Sequence, residues 1–441
     1  MLRSFLVVVV AAGSIGAMAA LAAPPVRVLV SGAGVPDCSG PGQTRGYEVE
    51  PSLAADPSGS LLVGAWQQDR RRSGSGSIAN MIGVSKDGGA TWDRQLVTAV
   101  SKCGGGPTPA ISDPWAAVAP DGTIYVASIG VGGNELGQNT IFVQSSRDGG
   151  ASWSRVALPT SYSDKPTMAV DPVIPGRAWI TWTEAPDVGE FISRTDDFGA
   201  TWSTGKPVST QDPRFGSPKD VHLLPLAADR LIALATHNGF RDDYVDLVAR
   251  VSDDGGDTWS SGRRLTKFPL GSVHDADGRL FRADSVIFGA AAGPGGAGYA
   301  VLQAGGGRIA IVRTLDAGRT WSRSNVVGRA RYATGSPVVA ASPDGTSVAV
   351  SFISLDRDRK GDGVASTRYR IAVSHDRGST WQTSPLTPAF NARAGRTNGT
   401  PFLGDYTGLV PLGAGGRFGA LVSVARPLAG NGPTDIVFVK P

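Results

Sequence analysis

The pattern [S/T]-x-D-x-G-x-[S/T]-W is written six times along the chain, and it restricts the fold more than any other feature. The copies occupy 85–92, 146–153, 195–202, 252–259, 314–321 and 374–381. Their aspartates, Asp87, Asp148, Asp197, Asp254, Asp316 and Asp376, follow one another at intervals of 61, 49, 57, 62 and 60 residues. A period of this size is that of one small supersecondary unit, which buries its apolar face only by stacking on its neighbours. Each copy lies between two β-rich runs, such as 140–146 before it or 263–268 after it. The phrase therefore predicts a hairpin turn. Its Asp accepts hydrogen bonds from the turn's own N–H groups, its Gly takes a backbone conformation others avoid, and its Trp buries a ring against the next unit.

Every period also contains an earlier hairpin. A short apolar strand (51–55, 115–119, 167–170, 221–226, 286–291 or 338–341) leads through a turn such as Pro120-Asp121-Gly122 to a longer one such as 124–128 or 178–182. Four meandering strands per unit, repeated radially, make an all-β propeller. The 60 glycines and 30 prolines suit such a chain of short strands and tight turns. Six phrases suggest six blades. A seventh opening hairpin, 406–411 with 417–424, follows the last phrase, and a third strand, 435–439, ends the chain without a fourth. The strand 26–31 has no partner of its own. Pairing it with the last strand predicts a seven-bladed β-propeller of four-stranded blades closed by an N-terminal strand, with a six-bladed propeller as the alternative.

Residues 1–22 carry one early arginine, an apolar stretch and small residues before Pro24, which reads as a secretory signal peptide cleaved after Ala22. An uncleaved anchor is the other reading. Residues 23–441 then form a single propeller domain, exported to the periplasm or secreted. Export permits a disulfide between the two cysteines, Cys38 and Cys103, with two free thiols as the alternative. The net charge of +4 comes from scattered, matched charges, which excludes a nucleic-acid footprint. No segment after the signal is apolar enough to span a membrane.

The repeated phrase resembles the Asp-box, or BNR repeat, of bacterial sialidases and their relatives. The resemblance covers nearly the whole mature chain. It implies the propeller but no single activity, because the box also occurs in other glycoside hydrolases, in lyases and in non-enzymatic propellers. In these families the active site lies on the face opposite the boxes, so the six box aspartates are expected to be structural.

That opposite face collects residues just before each first strand. Here Glu50, Asp113, Asp164, Asp220, Asp284 and Asp405 recur, with Lys165, Lys219, Arg282, Arg331 and Tyr406 beside them. They read either as a substrate or cation site or as anchors for the backbone of adjacent blades. Glu50, Asp164, Arg282, Asp284, Arg331 and Asp405 are the expected substrate-binding set. No cofactor is required on this reading, although a ring of carboxylates suits a structural Ca²⁺. Sialidases bind the sugar carboxylate with three arginines and use a tyrosine nucleophile, a glutamate beside it and an aspartic acid/base. The resemblance assigns those catalytic roles to Tyr406 and Asp113. It departs at Val49, which stands where the family's first arginine is expected. Arg45, Arg70, Arg282, Arg331, Arg396 and Arg426 would have to supply a rearranged set. Related lyases use His and Tyr; of the four histidines, His237 follows a second strand on this face, and His375 lies in an Asp-box.

The functional expectation is an exported sialidase-like propeller acting on or binding extracellular glycans, with an exo-glycosidase as its enzyme form and a polysaccharide lyase as a further one. The alternative is a non-catalytic glycan- or protein-binding scaffold of the cell envelope. The expected partners are an extracellular glycan or an envelope protein, with no nucleic acid, and the protein is expected to be a monomer.

Overall fold

The computed structural model describes residues 25–441 apart from 33–34, 36–37, 39–41, 74, 133–138, 161, 185–188, 211, 239–242, 284–285, 329–331, 357–360, 362–363, 398–399 and 426–431. The signal-peptide reading, Asp284, Arg331 and Arg426 fall outside the described residues. Among the described residues regular structure is β-strand, with a few 3₁₀ turns and no α-helix.

The strands form four-stranded antiparallel meanders that follow the sequence period. In chain order, sheet 1 covers 49–96, sheet 2 110–157, sheet 3 163–210, sheet 4 217–269, sheet 5 289–327 and sheet 6 332–385. Sheets 1 and 2 touch edge to edge through one Ser77–Ile111 pairing. Sheet 7 takes three strands from 408–440 and its fourth from Val26–Leu29. That N-terminal strand runs antiparallel to Thr434–Lys440, with Val26 opposite Lys440 and Leu29 opposite Val437.

Alternation along the strands turns apolar residues toward both neighbouring sheets, so each junction has its own core. Val63, Ile82, Val118 and Ile124 pack between sheets 1 and 2. Leu234, Leu247, Ala300 and Val312 pack between sheets 4 and 5. Leu62, Trp66, Leu421 and Phe438 close the same kind of junction between sheets 1 and 7. Each first strand also lies against the first strands of the sheets before and after it, and the seventh lies against the first.

The Asp-box turns cap the third strands with one repeated hydrogen-bond pattern. Asp87 Oδ1 accepts from Ser85 Oγ at 2.8 Å and from the backbone N–H groups of Ala90 and Thr91 at 2.9 Å, and Oδ2 accepts from Thr91 Oγ1 at 2.6 Å. Asp376 in the last box repeats the pattern with Ser374, Ser379 and Thr380. Every acceptor site of these carboxylates faces its own turn, and the bonds hold the acids well below their ordinary range. The tryptophans are half-buried rather than fully enclosed, because each lies at the rim of a junction: Trp92 meets Phe438 edge-on at 5.4 Å, and Trp202 meets Tyr125 at 6.2 Å. Cys38 and Cys103 are joined, with Cα atoms 5.3 Å apart, which ties the N-terminal segment to the connection between sheets 1 and 2.

Candidate functional site

The first strands of sheets 1, 2, 3 and 6 share a local irregularity at their entry. The ladder slips between Val49 and Ser52, between Ser112 and Trp115, between Asp164 and Thr167, and between Gly335 and Val338. In each case one residue takes a left-handed backbone immediately before a proline: Glu50 (φ 56°) before Pro51, Asp113 (φ 44°) before Pro114, Lys165 (φ 51°) before Pro166 and Ser336 (φ 45°) before Pro337. Proline has no N–H for the ladder, so the bulge forms where the pairing is already broken. A non-glycine residue in this conformation costs about 1–3 kcal/mol, and such strain gathers at functional sites. Gly404, ahead of the first strand of sheet 7, also has a positive φ, although Asp405 rather than a proline follows it. At φ 119° it lies so close to sheet 1 that a Cβ would sit 2.6 Å from the Glu50 nitrogen.

The bulges of sheets 1, 2 and 3 and the segment before sheet 7 bring charged side chains together. Asp405 is the hub. Arg282 grips it with two bonds, Nε to Oδ1 at 3.1 Å and Nη2 to Oδ2 at 2.6 Å, and Lys165 Nζ stands 3.9 Å from the same carboxylate. Glu50 Oε1 accepts from the Asp405 N–H at 3.4 Å, and its other oxygen accepts from the buried Gln67 amide. Gln67 is held in turn by Arg70 at 2.8 Å and Ser77 at 2.9 Å. The guanidinium groups of Arg70 and Arg282 both lie over the Phe402 ring, at 4.5 and 4.2 Å from its centroid.

Asp113 differs from its neighbours. Its described bond is a 3.3 Å contact from Ser112 Oγ; among the described residues no backbone N–H or ion pair reaches it, and the Lys165 charge acts on it only from farther off. Burial, then the nearby Glu50 and Asp164 carboxylates, push its acid well above the ordinary range. Burial and Asp405 raise Glu50 as well. Burial opposes the charge of Lys165, but Asp164, Asp405 and Asp113 more than offset it and keep the lysine a cation.

Tyr406 lies beside this group and joins sheet 7 to sheet 2. Its hydroxyl donates to the Pro114 carbonyl at 3.3 Å, and its ring meets Trp115 at 5.4 Å. Burial and then Glu50, Asp113, Asp405 and Asp164 push its phenol well above the ordinary tyrosine range. Trp115 continues to His222 at 5.5 Å and His222 to Phe288 at 4.6 Å, a row of rings drawn from four sheets. A cavity of about 110 Å³ lies along that row, lined by Ser52, Trp115, His222, Phe288, Tyr406 and Thr407.

Two other described acidic positions bond backbone N–H groups. Asp164 accepts from the N–H of Lys165 at 3.1 Å. Asp220 reaches the next sheet, accepting from the Phe288 N–H at 3.3 Å, and also faces His222. His237 is a fully buried strand residue rather than a loop group: it pairs with Glu190 at 2.8 Å, and Arg250 pairs with the same carboxylate. Val49 is buried beside Tyr47 and Phe402. Among the described residues no three His, Cys, Asp or Glu side chains assemble into a metal-holding group. Gln67, Phe402 and His222 are site residues that sequence reasoning passed over. The one signal that marks their neighbourhood is the recurrent Glu-Pro, Asp-Pro, Lys-Pro and Ser-Pro at the entry of first strands.

Residues 59–271 match the family model described as a BNR repeat-like domain. The chain carries the BNR repeat. That match and the six Asp-boxes make it similar to the sialidase-like propellers. Comparison with curated proteins gives no match. Among solved structures, the BNR-repeat chain is similar to a polysaccharide lyase, an ulvan lyase bound to -[GlcA(1-4)Rha3S]-, at 11% identity over 90% of this chain and 94% of that one, with a TM-score of 0.53. It is also similar to the Penicillium chrysogenum α-L-arabinanase complexed with arabinobiose (16% identity, 94% and 98% covered, TM-score 0.49). A third is the Hadza microbial sialidase Hz136 (18% identity, 89% and 65% covered, TM-score 0.43). At 11% identity the likeness to the lyase is one of fold alone.

Proposed function

We propose that the BNR-repeat chain is an exported, seven-bladed propeller that acts on extracellular glycans as a glycoside hydrolase with Asp113 as its acid. Seven meanders whose first strands neighbour one another in cyclic order support the blade count. The Cys38–Cys103 bridge supports an oxidising compartment, and residues 1–22 serve as the export signal of a single domain.

The observation that carries the catalytic reading is the contrast between Asp113 and Asp405. Asp405 is held by two cations, whereas Asp113 has no described ion pair, and burial with the Glu50 and Asp164 carboxylates pushes its acid well above the ordinary range. A carboxyl whose surroundings favour its acid form is suited to donate a proton to a leaving glycosidic oxygen, with a second carboxyl beside it for the other half of the reaction. Glu50 completes the pair next to Tyr406. The Tyr406 hydroxyl serves as a substrate-facing hydrogen-bond group, or as the nucleophile once Glu50 takes its proton.

The charge balance favours a neutral glycan over a sialoside. Arg282 already pairs with Asp405 and Arg70 with Gln67, so neither fork is open to a sugar carboxylate. The test is turnover of a fluorogenic panel of neutral glycosides and sialosides by the wild type, Asp113→Asn and Tyr406→Phe. Turnover of a neutral glycoside that Asp113→Asn abolishes is the expected result. Turnover unaffected by Asp113→Asn overturns the mechanism, and the absence of turnover on every substrate returns the protein to a glycan-binding scaffold.

A further inference from the structure

A second cavity, of about 370 Å³, opens on the same end of the molecule as the acidic cluster. That end is where second strands finish and first strands begin. One wall is Gln303, the last residue of the second strand of sheet 5, and the glycines Gly305, Gly306 and Gly307 that follow it. A second wall is Thr334, at the entry to sheet 6. The third is the segment that inserts between sheets 4 and 5, including Ser272 and His274. The volume lies within the roughly 300–1,000 Å³ of ordinary small-ligand sites.

The polar atoms on these walls are unusual. Gln303 donates through its amide nitrogen to the Thr334 carbonyl, but its Oε1 has no partner among the described residues. Thr334 Oγ1 has none either. Both residues are more than nine-tenths buried, at 7% and 1% exposure. Buried polar atoms are almost always hydrogen-bonded, so two orphans on one cavity point to an absent partner. The three glycines all have positive φ (72°, 60° and 76°), which no run of side-chain-bearing residues would adopt, and this wall is backbone alone. The carboxylate lining the cavity, Asp275, is already closed off by the buried Arg393, Nε to Oδ2 at 2.8 Å. An amide acceptor, a hydroxyl and bare backbone without an open charge suit a ligand that presents several hydroxyls and no ionised group.

The inserted segment also connects this cavity to the acidic cluster. Val273–His274 lines the cavity and pairs with Leu280–Phe281, and the next residue is Arg282, which grips Asp405. We infer that this cavity is a subsite for an uncharged sugar unit of an oligosaccharide whose other end reaches Asp113 and Tyr406. The inference rests on the glycan-acting reading above and adds chain-length recognition of neutral glycans to it.

The test measures binding of neutral arabino-, xylo-, galacto- and gluco-oligosaccharides to the full chain by calorimetry, beside their uronate counterparts. Gln303→Leu and Thr334→Val each remove one orphan atom, and Ser272→Trp obstructs the cavity from an exposed position that leaves the fold untouched. A neutral oligosaccharide is expected to bind and to weaken about 3–10-fold in each of the first two variants, the effect of one lost hydrogen bond. Ser272→Trp is expected to weaken it further, while turnover of aryl monoglycosides stays unchanged. Binding unaffected by all three variants, binding confined to uronates, or no binding at all overturns the subsite. Oligosaccharide binding that the variants weaken, without hydrolysis by the wild type, upholds the subsite and overturns the catalytic reading instead.

Discussion

Arg282 holds Asp405 through both arms of its guanidinium, and the two residues belong to segments 123 positions apart in the chain. The aspartate is buried while the arginine is half-exposed, so the pair forms a lip between the cluster and solvent. Replacing Arg282 with alanine leaves Asp405 facing Lys165 at 3.9 Å as its remaining cation. A hydrogen bond to a charged group contributes about 1.5–3 kcal/mol, and exposure places this one at the low end. Arg282→Ala is therefore expected to lower glycoside turnover by roughly ten-fold or more. Arg282→Lys should restore little, because a point charge cannot bond both carboxylate oxygens in the fork geometry. Steady-state kinetics of both variants, beside their melting temperatures, separates a site effect from unfolding.

Glu48 provides a pH-dependent element at the junction of sheets 1 and 7. Its carboxyl is buried, accepts from the Gln68 amide at 3.0 Å and the Ile436 N–H at 3.3 Å, and is pushed up to about 8, chiefly by burial. A carboxyl whose pKa is raised on folding binds its proton more tightly in the native state. Its contribution is complete below the unfolded value near 4.5 and is lost as pH rises toward about 8. Wild-type stability is thus expected to fall across that window by an amount on the order of a few kcal/mol. Glu48→Gln should flatten this slope. Urea melts at pH 5, 7 and 9 compare the two proteins; equal slopes would remove Glu48 as the cause.

The Asp-boxes carry the opposite dependence. Asp316 is lowered to about 2, mainly by the Thr320 hydroxyl, and Asp87 lies further below its usual range. A depressed carboxylate stabilises the fold above its unfolded value near 3.8 and loses that effect as pH falls through the folded value. Asp316→Ala is expected to lower the melting temperature at pH 7, and the difference from wild type should vanish near pH 2. A gap that persists at pH 2 would mean that the side chain acts through packing. Activity at neutral pH should survive the change, since the box lies at the end remote from Asp113.

The scaffold was largely readable because it is periodic. Asp-box spacing, the short apolar strands and the unpartnered 26–31 strand all report on pairing, which is local and repeats. The site is less legible for a physical reason. Glu50, Asp113 and Asp405 could be aligned as one recurring position, but alignment does not show which carboxylate finds a cation. That depends on Arg282, carried in by a segment outside the repeat, and on Gln67, whose partners come from sheets 1 and 2. The X-Pro bulges could have been noticed; their left-handed backbone could not, because residues before proline ordinarily stay extended. His237 reads as a loop residue by position and is instead buried, since the second strand of sheet 4 runs on to Asn238.

The Cys38–Cys103 bridge has a consequence for the closure of the molecule. It spans 65 residues, and a loop of that length removes about 4 kcal/mol of unfolded-state entropy in the chain model. Its mechanical role is more specific. The N-terminal strand Val26–Leu29 is held by one edge to 437–440, and Cys38 lies only nine residues beyond it. The bridge fixes Cys38 to the sheet 1–2 connection and so limits how far that short strand can move from its partner. Reduction, or Cys38→Ser with Cys103→Ser, is expected to lower the melting temperature and to raise hydrogen exchange first at 437–440. The exchange pattern distinguishes the two effects. Uniform loss of protection would reflect unfolded-state entropy alone, whereas early loss confined to that strand pair identifies it as the weakest point of the structure.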